Sequence, residues 1–476
     1  MPSIIENPRI KAKCQVFTPV DIVDYMLDLA GYDSDIFGKT LLENSCGNGE
    51  ILERIVNRYV NDCMRQSISV EQIKSGLERD IVAYDIDPEM VSKAKKRLDA
   101  VASKHGVTGV KWNICNADFL EQKCINKFNF IIGNPPYIAY ADLPEETRST
   151  LREAFSCCKK GKFDYSYAFI EQSYNALQKN GQFVYLIPCY ILKNVYAQCV
   201  RELIKNDICT VVEFQNGRIF KQALVTPAII HVAKGSNSQS LQYKVYGTSL
   251  DKEINKVNLG NKWTFGNGVI AETRLGDLYN VSSCIATLYN DAFVVKGGIM
   301  DGDNYILGAH KIEKAILRQA TSPKTQKNRK ENEYIIFPYF FDEQDKLQHY
   351  SEKEMYQKFP HCLKYLESFK SKLDERCADD AAAWYEYGRS QAIQNMNQPK
   401  ILISSIISEK TKAYLLDTEC IPYSGIYIIP RKDSSLEELV EHLNSRLFKM
   451  YVENIGVSVS GKSKRITTHD IEDFMY

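Results

Sequence analysis

Phe128-Asn129-Phe130-Ile131-Ile132-Gly133-Asn134-Pro135-Pro136-Tyr137 is the stretch that decides the fold. Its first six residues are mainly apolar and have the length of a buried strand. The two prolines cannot continue a strand inside a sheet, because proline has no backbone N–H to donate. The segment therefore predicts a strand that ends by presenting a polar side chain, Asn134, and an aromatic one, Tyr137.

This strand end suits a flat substrate that carries an exocyclic amine, such as a purine. The lone pair of such an amine is delocalised into the ring, so the nitrogen is a poor nucleophile. If the Asn134 side-chain oxygen and the Pro135 carbonyl accept its two hydrogens, the nitrogen moves toward a tetrahedral state and its lone pair becomes available. Tyr137 can stack on the base. A proline-rich turn without catalytic role is the alternative, and the rest of the chain must decide.

Length and composition indicate an ordinary globular protein. The chain has 476 residues, which predicts two to three domains, with 44% hydrophobic and 25% charged residues. It has no apolar run near the ~20 residues of a membrane span, and its first residues lack the basic start and apolar core of a signal peptide. The 14 cysteines form no Cys-x-x-Cys motif, so we expect a reducing cytoplasm and neither a metal site nor disulfides.

Charge is balanced overall but not locally. Sixty basic and sixty acidic residues give a net charge of zero, which by itself argues against a nucleic-acid partner. However, residues 311–330 carry seven basic side chains against Glu313 alone, and Gly461-Lys462-Ser463-Lys464-Arg465 forms a second basic cluster. Either cluster can be a solvated surface or a phosphate-binding one.

The first half of the chain alternates strand and helix patterns. The candidate strands are Thr40–Cys46, Ile81–Asp87, Lys111–Asp118, Asn129–Gly133, Gln182–Pro188, Cys209–Phe214 and Ala228–Ala233, and the clearest candidate helices are Ile51–Val60, Glu89–Val101 and Tyr167–Gln178. This alternation predicts an α/β domain with a seven-stranded, mostly parallel sheet of the Rossmann type. The small polar stretch 234–240 marks a boundary, so we expect one domain over 1–240 and another over 241–476.

Four predicted strand ends carry polar residues in order. They are Glu43 to Gly49 with its two glycines, Asp85 after the second strand, Asp118 after the third, and Asn134 after the fourth. Ligands bind at the carboxyl ends of strands in such sheets. Glycines allow the backbone to approach a ligand, an acid after the second strand can accept from ribose hydroxyls, and Asp118 can accept from an adenine amino group.

In this order the motifs resemble the S-adenosylmethionine-dependent methyltransferases that act on amino groups. They are most similar to the DNA adenine-N6 methyltransferases of the gamma arrangement, the TaqI-like and Eco57I-like family. Residues 14–19 and 22–26 resemble its N-terminal cofactor motif, and 218–226 the segment whose aromatic residue packs on the flipped base. Asn44 departs from the family, which usually has proline there. In the C-terminal half, 275–293, 384–389 and 458–468 resemble its α+β DNA target-recognition domain.

The resemblance implies a set of site residues. The cofactor S-adenosyl-L-methionine would be held by Phe17, Thr18, Pro19, Glu43, Asn44, Cys46, Gly47, Gly49, Asp85, Ile86, Asp118, Phe119 and Asn134, and the catalytic residues would be Asn134, Pro135, Pro136, Tyr137 and Phe220. The implied partner is double-stranded DNA, with a separate cognate restriction endonuclease or none. The resemblance further implies a monomer in a prokaryotic cytoplasm, at the nucleoid and away from membranes.

Other functions remain open. Cytosine-N4, protein-glutamine and rRNA amino-methyltransferases share the amine chemistry, although cytosine-N4 enzymes more often carry serine at the position of Asn134. A non-catalytic DNA-binding subunit is a further alternative. A dinucleotide dehydrogenase is disfavoured because Leu52 stands where its third glycine is needed. Cytosine-C5 chemistry is rejected because Tyr190 follows Pro188-Cys189 where that family has glutamine, and Cys189 is interpreted as a buried strand-end thiol.

Overall fold

A computed structural model describes residues 18–214, 226–265, 273–328, 332–408, 411–431, 434–459 and 463–476. The chain divides into two compact units, Met1–Phe265 and Gly266–Tyr476. Phe17 and Phe220, two of the predicted site residues, lie outside the described residues.

The first unit alternates strands and helices, as predicted. Its strands are β1 (Leu41–Glu43), β2 (Ile81–Asp85), β3 (Asn113–Asn116), β4 (Phe128–Gly133), β5 (Leu177–Pro188), β6 (Ile208–Glu213), β7 (Pro227–Ala233), β8 (Ser240–Val245) and β9 (Asp251–Asn255). Its α-helices are α1 (Val20–Leu29), α2 (Glu50–Arg65), α3 (Val70–Asp80), α4 (Pro88–Lys104), α5 (Glu145–Ala154), α6 (Ser166–Ala176) and α7 (Gln198–Ile204).

These strands form one sheet in the order β3-β2-β1-β4-β5-β7-β6-β8-β9. β3, β2, β1, β4 and β5 are parallel, and β7 runs antiparallel between β5 and β6. The α/β fold class is confirmed, with two more strands than predicted. β8 pairs with β6, and β9 pairs with β8, so the unit continues past the boundary predicted at residue 240.

Hydrophobic cores cover both faces of the sheet. Ile131 of β4 joins one core, whereas its neighbours Phe130 and Ile132 join the other, because successive strand side chains point to opposite faces. α2 contributes its apolar stripe, including Ile51 and Ile55, to the second core. This sandwich holds the carboxyl ends of the parallel strands along one rigid edge.

The second unit is α+β. Its strands are β10 (Tyr279–Ser283), β11 (Val294–Lys296), β12 (Ile299–Asp301), β13 (Asn304–Leu307), β14 (His310–Glu313), β15 (Leu317–Thr321), β16 (Glu333–Ile336), β17 (Tyr339–Phe341), β18 (Leu347–His349), β19 (Lys400–Ile403), β20 (Ile406–Ile407), β21 (Tyr414–Leu416), β22 (Ile421–Pro422), β23 (Ile426–Pro430), β24 (Val457–Ser458) and β25 (Lys464–Arg465). Its helices are α8 (Leu275–Leu278), α9 (Asn290–Phe293), α10 (Pro323–Asn328), α11 (Glu352–Lys358), α12 (Pro360–Glu367), α13 (Lys370–Asp374), α14 (Leu436–Asn444), α15 (Arg446–Ile455) and α16 (Thr468–Glu472).

Small sheets replace the single large one here. Four-stranded sheets run β10-β23-β19-β21 and β11-β16-β15-β22, and three-stranded ones run β12-β13-β14 and β20-β25-β24, beside the pair β17-β18. The basic cluster 311–330 includes α10, and β16 begins three residues after the cluster. Among the described residues, no helix is both long and apolar enough to cross a membrane.

Candidate active site

Four neighbouring strands bring the predicted motifs to one edge of the sheet. β3, β2, β1 and β4 lie side by side in parallel, so Asp118, Asp85, Glu43 and Asn134 follow at or beyond their carboxyl ends in that spatial order. The strand registers pair Glu43 with Ala83 and Asp85 with Asn116. Sequence spacing alone predicted this convergence, because parallel strands share one carboxyl edge.

The turn between β1 and α2 needs glycine at two positions. Gly47 has φ of 51° and Gly49 has φ of 85°, in the left-handed region that favours glycine. A Cβ at Gly49 would also lie 3.1 Å from the Cα and Cβ of Ala94 in α4. The Cys46 amide donates to the Tyr84 carbonyl at 3.0 Å, which fastens this turn to β2.

Asp85 braces the glycine turn. Its two carboxylate oxygens accept from the Gly47 and Asp87 amides, both at 2.8 Å. Burial raises the pKa of Asp85, and these two hydrogen bonds partly oppose the rise. Asn116 donates to the carbonyl of Ile86 at 2.9 Å, holding the predicted Asp85-Ile86 pair against β3. Each Asp85 oxygen keeps a second lone pair with which to accept from a ligand hydroxyl.

Asp118 has a buried acceptor without a partner. Its Oδ1 accepts from the Leu120 amide at 2.9 Å, whereas no described group hydrogen bonds to its buried Oδ2. The adjacent Phe119 is 1% exposed and packs between Tyr84 and Phe169, which makes it a support for this turn. Glu43 has a similar unpartnered oxygen, Oε2, and burial raises the pKa of its carboxyl well above the ordinary range. Such orphan acceptors fit a ligand that offers N–H or O–H donors.

Asn44 points toward the protein interior. It is 3% exposed, and its Nδ2 donates to the Ser173 hydroxyl at 2.8 Å. Ser173 in turn lies 2.8 Å from the Tyr185 hydroxyl of β5. The residue that departs from the family pattern therefore ties the turn to α6 and β5 through its Nδ2, whereas its buried Oδ1 has no hydrogen-bond partner among the described residues.

Asn134, in the motif that follows β4, hydrogen bonds to residues of two other motifs, the N-terminal motif and the glycine turn. Its Nδ2 donates to the Thr18 hydroxyl at 3.3 Å, and its carbonyl accepts from the Ser45 hydroxyl at 3.1 Å. Pro19 begins α1 by accepting from the Ile22 and Val23 amides, which places Thr18 just before the helix. The N-terminal motif and the glycine turn thus both contact the end of β4.

Tyr137 is anchored by its hydroxyl. That hydroxyl lies within hydrogen-bonding distance of Asn134 Oδ1 and, at 2.7 Å, of the Leu186 carbonyl in β5. Burial raises the pKa of Tyr137 well above its usual value, so it stays protonated and donates. The residue as a whole is half-buried. This geometry holds an aromatic face in place beside Asn134.

Asp164 lies next to the candidate site, and sequence reasoning missed it. The buried carboxylate accepts from the Ser166 amide at 2.9 Å, and from the Ser166 and Tyr190 hydroxyls at 2.6 Å each. It also hydrogen bonds to the Ile138 amide, directly after Tyr137. Burial raises the pKa of Asp164 to about 6, although these donors oppose the rise. The available signal was one acid inside the apolar, aromatic run 163–170.

Cys189 follows β5 directly, so its predicted place at a strand end is confirmed, but the residue is half-buried rather than buried as expected. No group of three or more His, Cys, Asp or Glu residues in the described ranges could hold a metal ion.

Fold and site together define a Rossmann-like, S-adenosylmethionine-dependent methyltransferase fold followed by a separate α+β unit. Residues 80–220 match the family model of the Eco57I restriction-modification methylase, and residues 345–474 match the TaqI-like C-terminal specificity domain. These two matches confirm, over the residues they cover, the resemblance to TaqI-like and Eco57I-like restriction-modification methylases that the motifs predicted.

Curated relatives agree with these matches. The chain is 26% identical over 254 residues to the Type II methyltransferase M.BstVI of Geobacillus stearothermophilus, covering 50% of this chain and 45% of that protein. It is 24% identical over 345 residues to the Type II restriction enzyme and methyltransferase RM.Eco57I of Escherichia coli, covering 61% of this chain and 33% of that protein. The matched region thus spans less than half of either relative.

Among solved structures, the Type IIL restriction-modification enzyme MmeI in complex with DNA matches 99% of this chain and 65% of its own, with a TM-score of 0.59 and 14% identity. The Type ISP enzyme LlaGI matches 92% of this chain and 43% of its own, with a TM-score of 0.51 and 15% identity. At these identities the likeness concerns the fold.

Proposed function

We propose that this chain is a site-specific DNA methyltransferase that transfers a methyl group from S-adenosyl-L-methionine to the 6-amino group of adenine in duplex DNA. The observation that carries the proposal is the position of Asn134 at the end of β4, in hydrogen-bond contact with Thr18, Ser45 and Tyr137. Support comes from relatives described as Type II methyltransferases and from the match of 345–474 to a specificity domain.

The residues present fit the cofactor. Its adenine amino group would donate to the orphan Oδ2 of Asp118, and its ribose hydroxyls to Asp85, which keeps spare lone pairs. Gly47 and Gly49 would leave room for close approach of the backbone. When bound, S-adenosylmethionine supplies an activated methyl group, so no covalent enzyme intermediate is needed.

Asn134 and Pro135 would activate the target amine. The Asn134 Oδ1 and the Pro135 carbonyl would accept its two hydrogens, stabilising the tetrahedral nitrogen mainly in the transition state. The Tyr137 hydroxyl, which lies near Asn134 Oδ1, can turn its single proton to the Leu186 carbonyl at 2.7 Å and release that oxygen for the substrate. Asp164 would act as a positioning residue, because it holds the Ile138 amide beside this motif.

The target base must leave the duplex to reach this site. Extrusion costs roughly a few kcal/mol, and stacking on each aromatic face returns roughly 1–3 kcal/mol. Tyr137 would supply one face, and Phe220, by resemblance, the other. Phe220→Ala should therefore lose more activity on a matched duplex than on one with a mismatched target adenine, while Phe220→Trp should be tolerated. Equal losses on both duplexes would remove Phe220 from the site.

Cytosine-N4 methylation is the second candidate, because the same acceptors serve any exocyclic amine. Asn134, where cytosine-N4 enzymes more often have serine, favours adenine. The match to a specificity domain favours DNA over protein or rRNA substrates. An intact Asn134 beside intact Gly47 and Gly49 favours an active enzyme over a non-catalytic subunit.

The test is methylation of duplex DNA with labelled S-adenosylmethionine, followed by mass spectrometry of the nucleosides. We expect N6-methyladenine from the wild type, none from Asn134→Ala, and near-normal yield from a control, Asn113→Ala, at an exposed position of β3. Calorimetry should show that Asn134→Ala still binds the cofactor. Absence of label in DNA, label in cytosine, or full activity of Asn134→Ala would contradict the proposal.

The biological setting belongs to the proposal as well. We expect a monomer that acts on prokaryotic DNA at the nucleoid, alone or beside a separate restriction endonuclease. Long-read sequencing of DNA from cells with and without the protein would reveal the modified base and its sequence context, and light scattering would give the mass of the particle.

A further inference from the structure

The second unit contains a polar groove of about 570 Å³. Its walls come from stretches far apart in sequence: 322–328, which includes α10; Ser404–Ile406 before and in β20; and Tyr423–Gly425 before β23, together with Asn290, Lys296 and Glu333. Serine, threonine, asparagine and tyrosine predominate among these residues. A lining of this kind suits a partner with many hydrogen-bonding groups rather than an apolar one.

One basic cluster of the sequence contributes a residue to this groove, and the other lies on the strand next to it. Lys324, from the first cluster, lines it directly. Ile406, which also lines it, pairs with Arg465 of the second cluster, and the next pair is Ile407 with Lys464. In the described part of the chain, no acidic side chain forms an ion pair with Lys324 or Arg465. Lys324 and Arg465 come from distant positions in the sequence, and neither is ion-paired with an acid in the described residues. Two such positive charges close to one groove indicate a polyanionic partner.

The floor of the groove, formed by Glu333, Thr325 and Tyr423, carries hydrogen-bond acceptors instead of positive charges. Glu333, 7% exposed, accepts hydrogen bonds from the Thr325 hydroxyl at 2.6 Å and from the Tyr423 hydroxyl at 2.7 Å. Lys296 is more distant, with its Nζ 3.9 Å from the Glu333 carboxylate. A hydroxyl that gives its proton to a carboxylate keeps only lone pairs for other partners. The floor is therefore rich in acceptors.

A free anion does not fit this combination, because the Glu333 carboxylate would repel it. Duplex DNA fits both parts, since it presents phosphates along its edges and base amines within its major groove. Adenine N6 and cytosine N4 are the donors there, and side-chain oxygens are suitable acceptors for both.

We propose that this groove is the base-reading site of the specificity unit: the Tyr423 hydroxyl accepts from the exocyclic amine of a target-site base, while Lys324 and Arg465 hold the flanking phosphates. The inference rests on the proposed function, because it needs a DNA substrate. It assigns two separable roles, sequence reading by the floor and sequence-independent affinity by the rim.

Tyr423→Phe tests the floor, because it removes the hydroxyl and keeps the ring. The assay is methylation of a duplex library with randomised positions, read out by sequencing. We expect discrimination at one position of the recognised sequence to fall by about tenfold or more, the scale of one base contact, with unchanged cofactor affinity. The matched control is Tyr356→Phe, whose side chain is 54% exposed on α11, outside the groove. Asn328→Ala, at an exposed position of the lining, provides a second variant with little risk to folding.

Lys324→Glu and Arg465→Glu test the rim. Both should weaken binding to all sequences, and each lost phosphate contact should lower the slope of log affinity against log salt by about 0.9. The sequence context of methylation should stay the same. Lys353→Glu, an exposed lysine on α11 away from the groove, is the charge-matched control and should leave the slope unchanged.

The outcomes separate the two proposals. If the wild type methylates DNA in a defined context while Tyr423→Phe and Asn328→Ala keep that context, the groove does not read bases and the proposed function stands. Unaltered salt slopes for both rim variants would overturn the phosphate contacts. If the wild type transfers no methyl group to DNA, the proposed function fails and this inference fails with it.

Discussion

The substitution Asp118→Asn at the candidate cofactor site should weaken cofactor binding without lowering the stability of the fold. In the wild type, Oδ1 accepts from the Leu120 amide at 2.9 Å, and no group in the described ranges hydrogen bonds to the buried Oδ2. The amide can keep its oxygen toward Leu120, which then places an NH₂ group where Oδ2 was. A buried acceptor without partner costs about 1–3 kcal/mol, and burial already raises the pKa of Asp118. The unliganded variant should therefore be as stable as the wild type, or more stable.

Affinity should change in the opposite direction. If the cofactor's amino group donates to Oδ2, the variant loses a hydrogen bond to a charged acceptor, worth about 1.5–3 kcal/mol. In addition, the NH₂ group of the new amide would face the amino group of the cofactor, so that two hydrogen-bond donors would meet. At 1.4 kcal/mol per tenfold, S-adenosylmethionine should bind roughly 10- to 150-fold more weakly. The opposite orientation of the amide in Asp118→Asn would not restore the affinity, because its NH₂ group would then face the N–H of the Leu120 amide.

Calorimetric titration measures the affinity, and urea unfolding without ligand measures the stability. An analogue with a 6-carbonyl in place of the 6-amino group should bind the variant better than it binds the wild type, because the new NH₂ can donate to it. Asp35→Asn, at an exposed position with φ of 52°, is the matched control. Unchanged affinity would refute the assignment of Asp118, and a parallel fall of affinity and stability would make its role structural.

Asp85→Ala should weaken cofactor binding by about 1–3 kcal/mol, since the ribose and the Gly47 amide both lose their acceptor; unchanged calorimetric affinity would exclude Asp85 from the site. Gly49→Ala should lower the free energy of urea unfolding more than Gly106→Ala, because both have positive φ but only Gly49 would bring a Cβ to 3.1 Å from α4; equal losses would contradict this. Asp164 retains its proton up to pH near 6 in the folded state, so its contribution to stability falls as the pH rises from about 4 to 6. The stability of the wild type relative to Asp164→Asn should fall by about 3 kcal/mol over that window; a flat difference would contradict the raised pKa.

Local patterns sufficed to predict the first seven strands of the first unit and three of its helices. The apolar run before Asn134 became β4, and the helix patterns at 51–60, 89–101 and 167–178 became α2, α4 and α6 with small changes at their ends. They also sufficed to place four motifs at one edge, because the carboxyl ends of parallel strands must share it. Phe17 and Phe220 stay predictions, since they lie outside the described residues.

By itself, the sequence determined the order of seven strands of the first unit, the family resemblance and the polar residues at the strand ends, since each depends on neighbours a few positions apart. Only the tertiary structure showed that β8 and β9 extend the sheet, that Asp164 holds the backbone after Tyr137, and that Arg465 lies beside a groove lined by Lys324. These features join residues separated by tens to more than a hundred positions. Hydrophobic periodicity repeats over two to four residues and carries no information about which distant segments pack together.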